Sequence, residues 1–597
     1  MRFFYQLSAI VIVTLLAVLG WDLSSRRVSH GNKELIIYAG MFGPGEPVQL
    51  LYSGPPAGLE PEHPFGAQAA GHYAALAAAW PEMATKVKQR FQAVFQAELP
   101  SPDSAASDIG ALAEQYRQLD RRYIDRLVAA IGRKDRLQRL ELFNAFAELH
   151  PQYDLHLIHI FEQLHPAYTV GLFEDFKRRH PQYAIEERWD GRWVLSTNRP
   201  RFLTGSDVPD LIAGSLAELR ILFRENLALP LDRPLPEESD PVWRSKGILY
   251  SASADGGGVP VIDTFNNVAL EACRYTINPR DVRENHHPYA AGTRIAYLWP
   301  GLIHINVIFY NRAHFRQIGL NPDSPPRTVD EFEDTCRKLL KAGIEPIAQD
   351  GESYLENWWL DLSNRMVGYD ELLKSCSGYG PRFAGSNADK RYLDVAERLR
   401  RWRNEGFWMK QFSASKWPGA QRDFGAGKCT FLFTGTWLPA EIAQTRSYDP
   451  KVFDLSCFIF PGCPEGTGNP RAITASAQGH AITRQGRNHK GAAALLNYLS
   501  TYGAELEGTE LHYISARKGV PLPPEMAALG PILAEAKPGD IITDGILGDL
   551  PMFTKFVLLE SVAQFMPIRS DNLTPEEFCQ TMERKAQELY AKYGKGM

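Results

Sequence analysis

Between Gly292 and Gly343 the chain changes texture within a short span. Ile295 to Tyr310 is rich in Ile, Val, Tyr, Phe and Leu and has the length of one or two strands, with Pro300 and Gly301 interrupting it. After Asn311 the pattern is helical. Val329, Phe332, Cys336, Leu339 and Leu340 recur at helix spacing behind a Thr328-x-x-Glu331 capping box, and Pro325 and Pro326 set where that helix begins.

With 597 residues the chain has room for three or more folding units, each long enough to bury a sizeable core. A net charge of −5 over that length provides no basic face for phosphate neutralisation, so nucleic acid is not expected as a partner. Hydrophobic residues at 44% and charged residues at 23% suggest neither disorder nor many membrane spans. The seven cysteines form no CxxC pair. Cys457 and Cys463 bracket a Phe-Pro-Gly turn, and both a disulfide and two buried thiols are open for them.

Phe3 to Trp21 is uncharged and, as a helix, would be about 28 Å long, enough for a hydrocarbon core of about 30 Å. Only Val18-x-Gly20 approaches a cleavage site, so the run reads as an uncleaved membrane anchor, with a cleaved signal as the alternative. Lys33 to Gly40 reads as a first buried strand. More than a hundred residues then follow with helical patterns from about Ala67 to Glu98, Ser104 to Ile131 and Arg133 to Leu164. His156, His159 and Glu162 share a spacing there that matches no zinc pattern, so an ordinary amphipathic helix is the reading and no metal site is expected.

Val170 to Tyr183 carries a helical Phe-x-x-x-x-Pro, followed by a strand at Tyr183 to Glu187 and by Gly205-Ser-Asp-Val-Pro-Asp-Leu-Ile, where Asp210 leads a short buried strand. Lys246 to His287 reads as irregular. An amphipathic helix spans Ala388 to Asn404. Phe424-Gly-Ala-Gly-Lys-Cys-Thr-Phe-Leu-Phe-Thr-Gly-Thr-Trp follows, Ala472 to Thr483 forms another strand, Gly491 to Tyr502 a helix, and Thr574 to Tyr593 a last amphipathic helix after one reaching Met566. No Gly-x-Ser-x-Gly, His-Glu-x-x-His, P-loop or dinucleotide fingerprint occurs, so no catalytic residue and no cofactor is expected.

The order strand, Tyr310-Asn311, short helix, Gly319, Pro-Pro-Arg-Thr, helix, together with the Phe424 to Trp437 run, resembles the family 1 extracellular solute-binding proteins, which are maltose-binding-protein-like. The resemblance covers 33–47 and 166–597. It implies a two-lobed periplasmic-binding-protein fold of type II with hinge crossovers, to which the sequence adds an N-terminal membrane helix and an α-helical insertion. The implied divisions are 1–32 for the anchor and linker, 33–47 with 166–303 and 480–597 for the N-terminal lobe, 48–165 for the insertion, and 304–479 for the C-terminal lobe.

The resemblance also implies a binding site. Trp437 would stack on a ligand, and Glu352, Tyr354 and Trp358 in Gly351 to Trp359 would supply a carboxylate and rings. Trp299 and His304 would flank the first crossover, Gln478 the return crossover, and Tyr38 the end of the first strand. Core packing is the alternative for each aromatic residue. The implied role is extracytoplasmic capture of a sugar or oligosaccharide for ABC permease subunits, at the periplasmic or extracellular face of the membrane. A membrane-anchored sensor or scaffold is the second reading. A glycoside-acting enzyme is a third, which needs two carboxylates facing one bond.

Overall fold

The computed structural model describes residues 33–40, 172–189, 194–255, 257–351, 354–376, 382–416, 418–442, 453–504, 512–543, 565 and 573–593. The Phe3 to Trp21 run, the 48–165 insertion with His156, His159 and Glu162, and the expected helix ending at Met566, apart from Phe565, lie outside them. Among the described residues no helix is long and apolar enough to cross a membrane.

The strands in chain order are β1 (Glu34–Gly40), β2 (Tyr183–Trp189), β3 (Leu211–Ser215), β4 (Arg274–Thr276), β5 (Arg294–Ala296), β6 (Trp299–Asn311), β7 (Glu345–Ala348), β8 (Cys429–Gly435), β9 (Leu455–Phe458), β10 (Ile473–Ile482), β11 (Ile514–Ser515) and β12 (Ile541–Thr543). One sheet path runs β2-β1-β3-β10-β6-β8-β7, with β11 and β9 also on β6 and β12 on β10. Strand β1 is parallel to β2 and β3, whereas β10 runs antiparallel to β3 and β6.

β6 joins two halves. Trp299 to Ile305 pair with β10, while Asn306 to Tyr310 pair with β8 and Ile308 to Asn311 with β9. One strand therefore leaves the first half of the sheet and enters the second, as the resemblance implies. Its interruption lies elsewhere. The break between β5 and β6 falls at Tyr297 and Leu298, and Pro300 stays inside β6. There the register with β10 slips between Gln478 and Gly479, a bulge that tolerates the missing Pro N–H. Both glycines here are required by close backbone approach: a Cβ on Gly301 would lie 2.7 Å from the Gln478 carbonyl oxygen, and one on Gly479 2.3 Å from that of Trp299.

The helices form where local signals place them. Thr328 accepts from Glu331 N–H at 3.2 Å and the Glu331 carboxylate accepts from Thr328 N–H at 3.3 Å, opening Val329–Lys341. Gly343, at φ +76°, closes that helix as Ile344 N–H reaches back to the Leu339 carbonyl. Asp389 caps Lys390–Asn404, and Thr574 with Glu577 caps Pro575–Tyr593. His489–Tyr498 continues into a π-helical turn at Leu499–Gly503.

Lys246 to His287 is not irregular, contrary to the sequence reading. It contains short helices at Val261–Thr264, Asn267–Ala272 and Pro279–Asn285 around β4, the last two capped by Asn266 and Asn278. Elements of four to seven residues are too brief to show an apolar period.

The first half buries Ile36, Phe173, Phe176, Leu211, Leu219 and Phe223, and the second buries Phe332, Trp358, Trp402, Phe431 and Phe433. Asp210 is itself buried. Its carboxylate accepts from the backbone N–H groups of Ile37, Arg487 and Asn488 at 2.7–2.8 Å, tying β1 to the start of the His489–Tyr498 helix. Arg365 is equally enclosed and donates to the carbonyls of Phe460, Asn469 and Ala472. Cys457 and Cys463 are free buried thiols, so of the two sequence readings the thiols hold.

Candidate functional site

Two groups of side chains gather along β6. At its first end is a cavity of about 80 Å³ that Tyr38, Trp299 and Gln478 line together, three residues that the sequence reading places at separate elements. Leu172, Leu496 and Leu499 line it as well. The Tyr38 hydroxyl lies 3.3 Å from His480 Nε2, and the Trp299 indole N–H donates to Ser500 Oγ at 3.2 Å. Burial, with Glu187 nearby, pushes the Tyr38 hydroxyl well above the ordinary tyrosine range, so it stays protonated and able to donate. Arg517 also lines the cavity, but its guanidinium is paired with the Asp255 carboxylate.

At the middle of β6 is an aromatic group. The His304 ring lies 5.3 Å from that of Trp437 and 5.7 Å from that of Tyr513, edge-on to both. The Tyr354 and Trp437 rings are 5.9 Å apart. Both of those residues are half-buried, while His304 and Tyr513 are buried. Trp437 follows the end of β8, where Thr436 Oγ1 accepts from Ile305 N–H at 3.0 Å and so fixes the strand end to β6. Tyr354 sits before Leu355–Val367 at φ +59°, a left-handed conformation that costs a residue with a Cβ on the order of 1–3 kcal/mol. Such strain is held where it aims a side chain, and here the ring meets Trp437.

Trp358 is not in this group, which corrects the expectation that its ring joins those of Tyr354 and Trp437 at the ligand. Its side chain is 0% exposed, its indole N–H donates to Gln349 Oε1 at 2.9 Å, and its ring packs against Trp402, Trp408 and Phe433. It faces inward because it belongs to the Leu355–Val367 helix, whereas Tyr354 precedes the helix and points elsewhere. Glu352 lies outside the described residues.

Several residues at these groups escape the sequence reading, among them His480, Ser500 and Tyr513. His480 was discoverable, since it stands two residues beyond Gln478 and shares its face of an extended strand. Tyr513 carries no such signal; only the pairing of Ile514 with Ile303 brings it beside His304. Together the rings offer apolar faces, and His304, Gln478, Tyr38 and Ser500 offer hydrogen bonds. That is equipment for holding a ligand with both apolar and hydroxyl-bearing surfaces.

A sheet in two halves sharing one crossing strand, with rings and hydrogen-bonding groups collected along it, defines a two-lobed α/β ligand-binding protein. Residues 164–505 match the bacterial extracellular solute-binding proteins, and the chain belongs to that family. No curated protein matches the chain. Among solved structures, a chitin oligosaccharide binding protein is similar at 19% identity and a TM-score of 0.52, covering 72% of this chain and 96% of that one. RafE from Streptococcus pneumoniae in its apo form is similar at 15% identity and a TM-score of 0.53, covering 71% and 94%. RafE in complex with raffinose gives 15%, 0.50, 71% and 96%. At these identities the likeness establishes the fold.

Proposed function

We propose that the chain is an extracytoplasmic binding protein that captures a sugar or oligosaccharide between its lobes and presents it to ABC permease subunits. The observation that carries the reading is the half-buried Trp437 and Tyr354 ring pair beside the strand that crosses between the two halves. A pyranose offers an apolar face to such rings and hydroxyls to groups such as His304 and Gln478. Family membership supports a solute as cargo. The solved structures described as binding chitin oligosaccharide or holding raffinose name the ligand class to test first.

The mechanism is closure without covalent chemistry. A ligand gripped from both lobes gains its full contacts only when they close, and that difference in affinity shifts the hinge equilibrium toward the closed form. In this reading the lobes are 33–47 with 166–303 and 480–597, and 304–479; the partner change on β6 between Ile305 and Asn306 lies close to that division. The same reading, from sequence patterns alone, takes 48–165 as an insertion independent of the lobes and the uncharged Phe3 to Trp21 run as a tether to the membrane.

The experiment is a thermal-shift screen of mono- and oligosaccharides on the full chain, followed by calorimetric titration of the wild type and Trp437→Ala. A ligand that binds only the native state raises the melting midpoint. Loss of the stacking contact, by analogy with aromatic pairs about 0.5–1.5 kcal/mol beyond area burial, weakens binding by up to roughly tenfold. A screen without a single stabilising sugar, or an unchanged affinity in Trp437→Ala, refutes the reading.

A further inference from the structure

The cavity and the aromatic group occupy one face of the sheet, in consecutive rows. Gln478 of β10 stands opposite Leu302 of β6, which stands opposite Ser515 of β11, and all three line the cavity. One row further along, Ser476 stands opposite His304, and Tyr513, the residue before β11, brings its ring against His304. Alternation in an extended strand keeps residues two apart on the same face, so Leu302 and His304 face the same way. The rows are about 7 Å apart. Burial along β10 agrees: Ser476, Gln478 and His480 are half-buried, while Ala475, Ala477 and Gly479 between them are buried.

The bulge extends this face in the other direction. Trp299 and Leu302 are three residues apart and would point to opposite sides of a regular strand. The register slip opposite Gln478 and Gly479 puts an extra residue between them, so both line the cavity. The same row continues to β3, where Ala213 stands opposite His480 and also lines the cavity.

We infer that the site is bipartite: the sugar ring rests at Trp437 and Tyr354, and a compact apolar substituent of the same ligand, an aryl aglycone or a group of that size, enters the cavity beside Trp299 and Leu302. This rests on the sugar-binding reading above and narrows its substrate class from plain sugars to glycosides carrying an apolar end. The cavity suits such a group in chemistry as well as place. Trp299, Phe265, Leu302 and Leu499 supply apolar surface, and Tyr38, Gln478, His480, Ser500, Ser515 and Arg517 supply polar groups at its edges. Several of these groups are already engaged, Tyr38 with His480, Ser500 with Trp299 and Arg517 with Asp255, so a run of free sugar hydroxyls would leave some unpaired, and an unpaired buried hydroxyl is unfavourable. At about 80 Å³ the cavity is roughly half the ~150 Å³ of an apolar cavity that encloses benzene, so an aryl group enters it in part and is not fully enclosed.

The test compares methyl and phenyl glycosides of glucose, galactose and N-acetylglucosamine by calorimetric titration against the full chain. The phenyl glycoside of the preferred sugar is expected to bind at least tenfold more tightly than its methyl counterpart. Ala213→Phe, which fills the cavity from a half-buried position, is expected to abolish that preference, bringing the phenyl glycoside down to the affinity of its methyl counterpart measured on the same variant. Trp437→Ala weakens both glycosides alike. If Ala213→Phe does not melt cooperatively, Ala213→Leu serves as the smaller filling variant, and the wild-type comparison stands without either. Equal affinity for phenyl and methyl glycosides, with binding still dependent on Trp437, overturns the bipartite site and leaves the sugar reading intact. A chain that binds no sugar or glycoside overturns both.

Discussion

The indole of Trp437 folds back over Gly435, so closely that a Cβ on Gly435 would lie 2.0 Å from Trp437 Cζ3. A glycine two residues before the tryptophan is therefore what lets the ring lie against the end of β8 and meet Tyr354 and His304. Gly435→Ala is expected to push the ring off this seat while β8 keeps its pairing with β6. Sugar affinity should fall by about as much as in Trp437→Ala, up to roughly tenfold, with the melting midpoint changed little. Calorimetric titration of both variants with the best ligand of the screen measures this. A Gly435→Ala protein that binds as tightly as wild type shows that the ring position is immaterial to binding.

A second prediction concerns the joint between β1 and the helix His489–Tyr498. Asp210 holds three backbone N–H groups from two distant segments, and Asp210→Ala leaves all three without their acceptor. At about 1–3 kcal/mol for each buried donor left unsatisfied, the loss is on the order of 3 kcal/mol or more. Asp210→Asn keeps one acceptor oxygen and should lose roughly half as much. Urea denaturation of the two variants gives the ordering, and an Asp210→Ala protein within 1 kcal/mol of wild type would contradict the role assigned to the carboxylate.

These two residues also mark what the sequence makes legible. The Pro-Asp step before β3 and the Gly-x-Trp after β8 are short, local patterns, and the elements around them form where the patterns stand. The same holds for Thr328 with Glu331 and for the strand that crosses between the two halves. Trp358 is different, because its side depends on the phase of a helix whose start is set by the left-handed Tyr354, and nothing in Gly351 to Trp359 fixes that phase. The meeting of Tyr38, Trp299 and Gln478 depends on pairing between segments hundreds of residues apart. The bulge that turns Trp299 toward them looks in the sequence like an interruption at Pro300. Two of the short helices of Lys246 to His287 are visible only through their caps, Asn266 and Asn278.

A third prediction follows from Asp361, whose carboxyl burial pushes up to about 7, against the opposing pull of the Arg365 guanidinium. An unfolded chain ionises this group near pH 4, so between about pH 4 and 7 the native state holds a proton that the unfolded state has released. The stability it contributes is fully present below pH 4 and is lost as pH rises through 7. At about 1.4 kcal/mol per pKa unit the loss is a few kcal/mol. Asp361→Asn removes this contribution, so its stability should fall less than that of wild type from pH 4.5 to 8. Denaturant melts at both ends of that range decide it; parallel pH profiles for the two proteins would mean that Asp361 is ionised in the native state.

The fourth prediction separates the two tryptophans that the sequence places in one wall. Trp358 is enclosed by Phe332, Trp402, Trp408, Phe433 and Phe460 and satisfies its indole N–H on Gln349, whereas Trp437 is half-buried beside Tyr354. Removing Trp358 opens a large void under the sheet half formed by β6, β8 and β7 and takes away the indole N–H that donates to Gln349 Oε1. Trp358→Ala should therefore cost about 3–5 kcal/mol of stability, as truncations of buried aromatic residues do. Where the protein remains folded, at low temperature, its sugar affinity should stay within a fewfold of wild type, because the ring touches the site only through the core. Trp437→Ala should show the reverse, with binding weakened and the melting midpoint nearly kept. Melting curves and titrations of the two variants, run side by side at a temperature where both are folded, read out both halves of the contrast. Should Trp358→Ala melt like wild type and lose the ligand instead, the open protein in solution must turn that ring out to the cleft, and the division between core and site drawn here would be reversed.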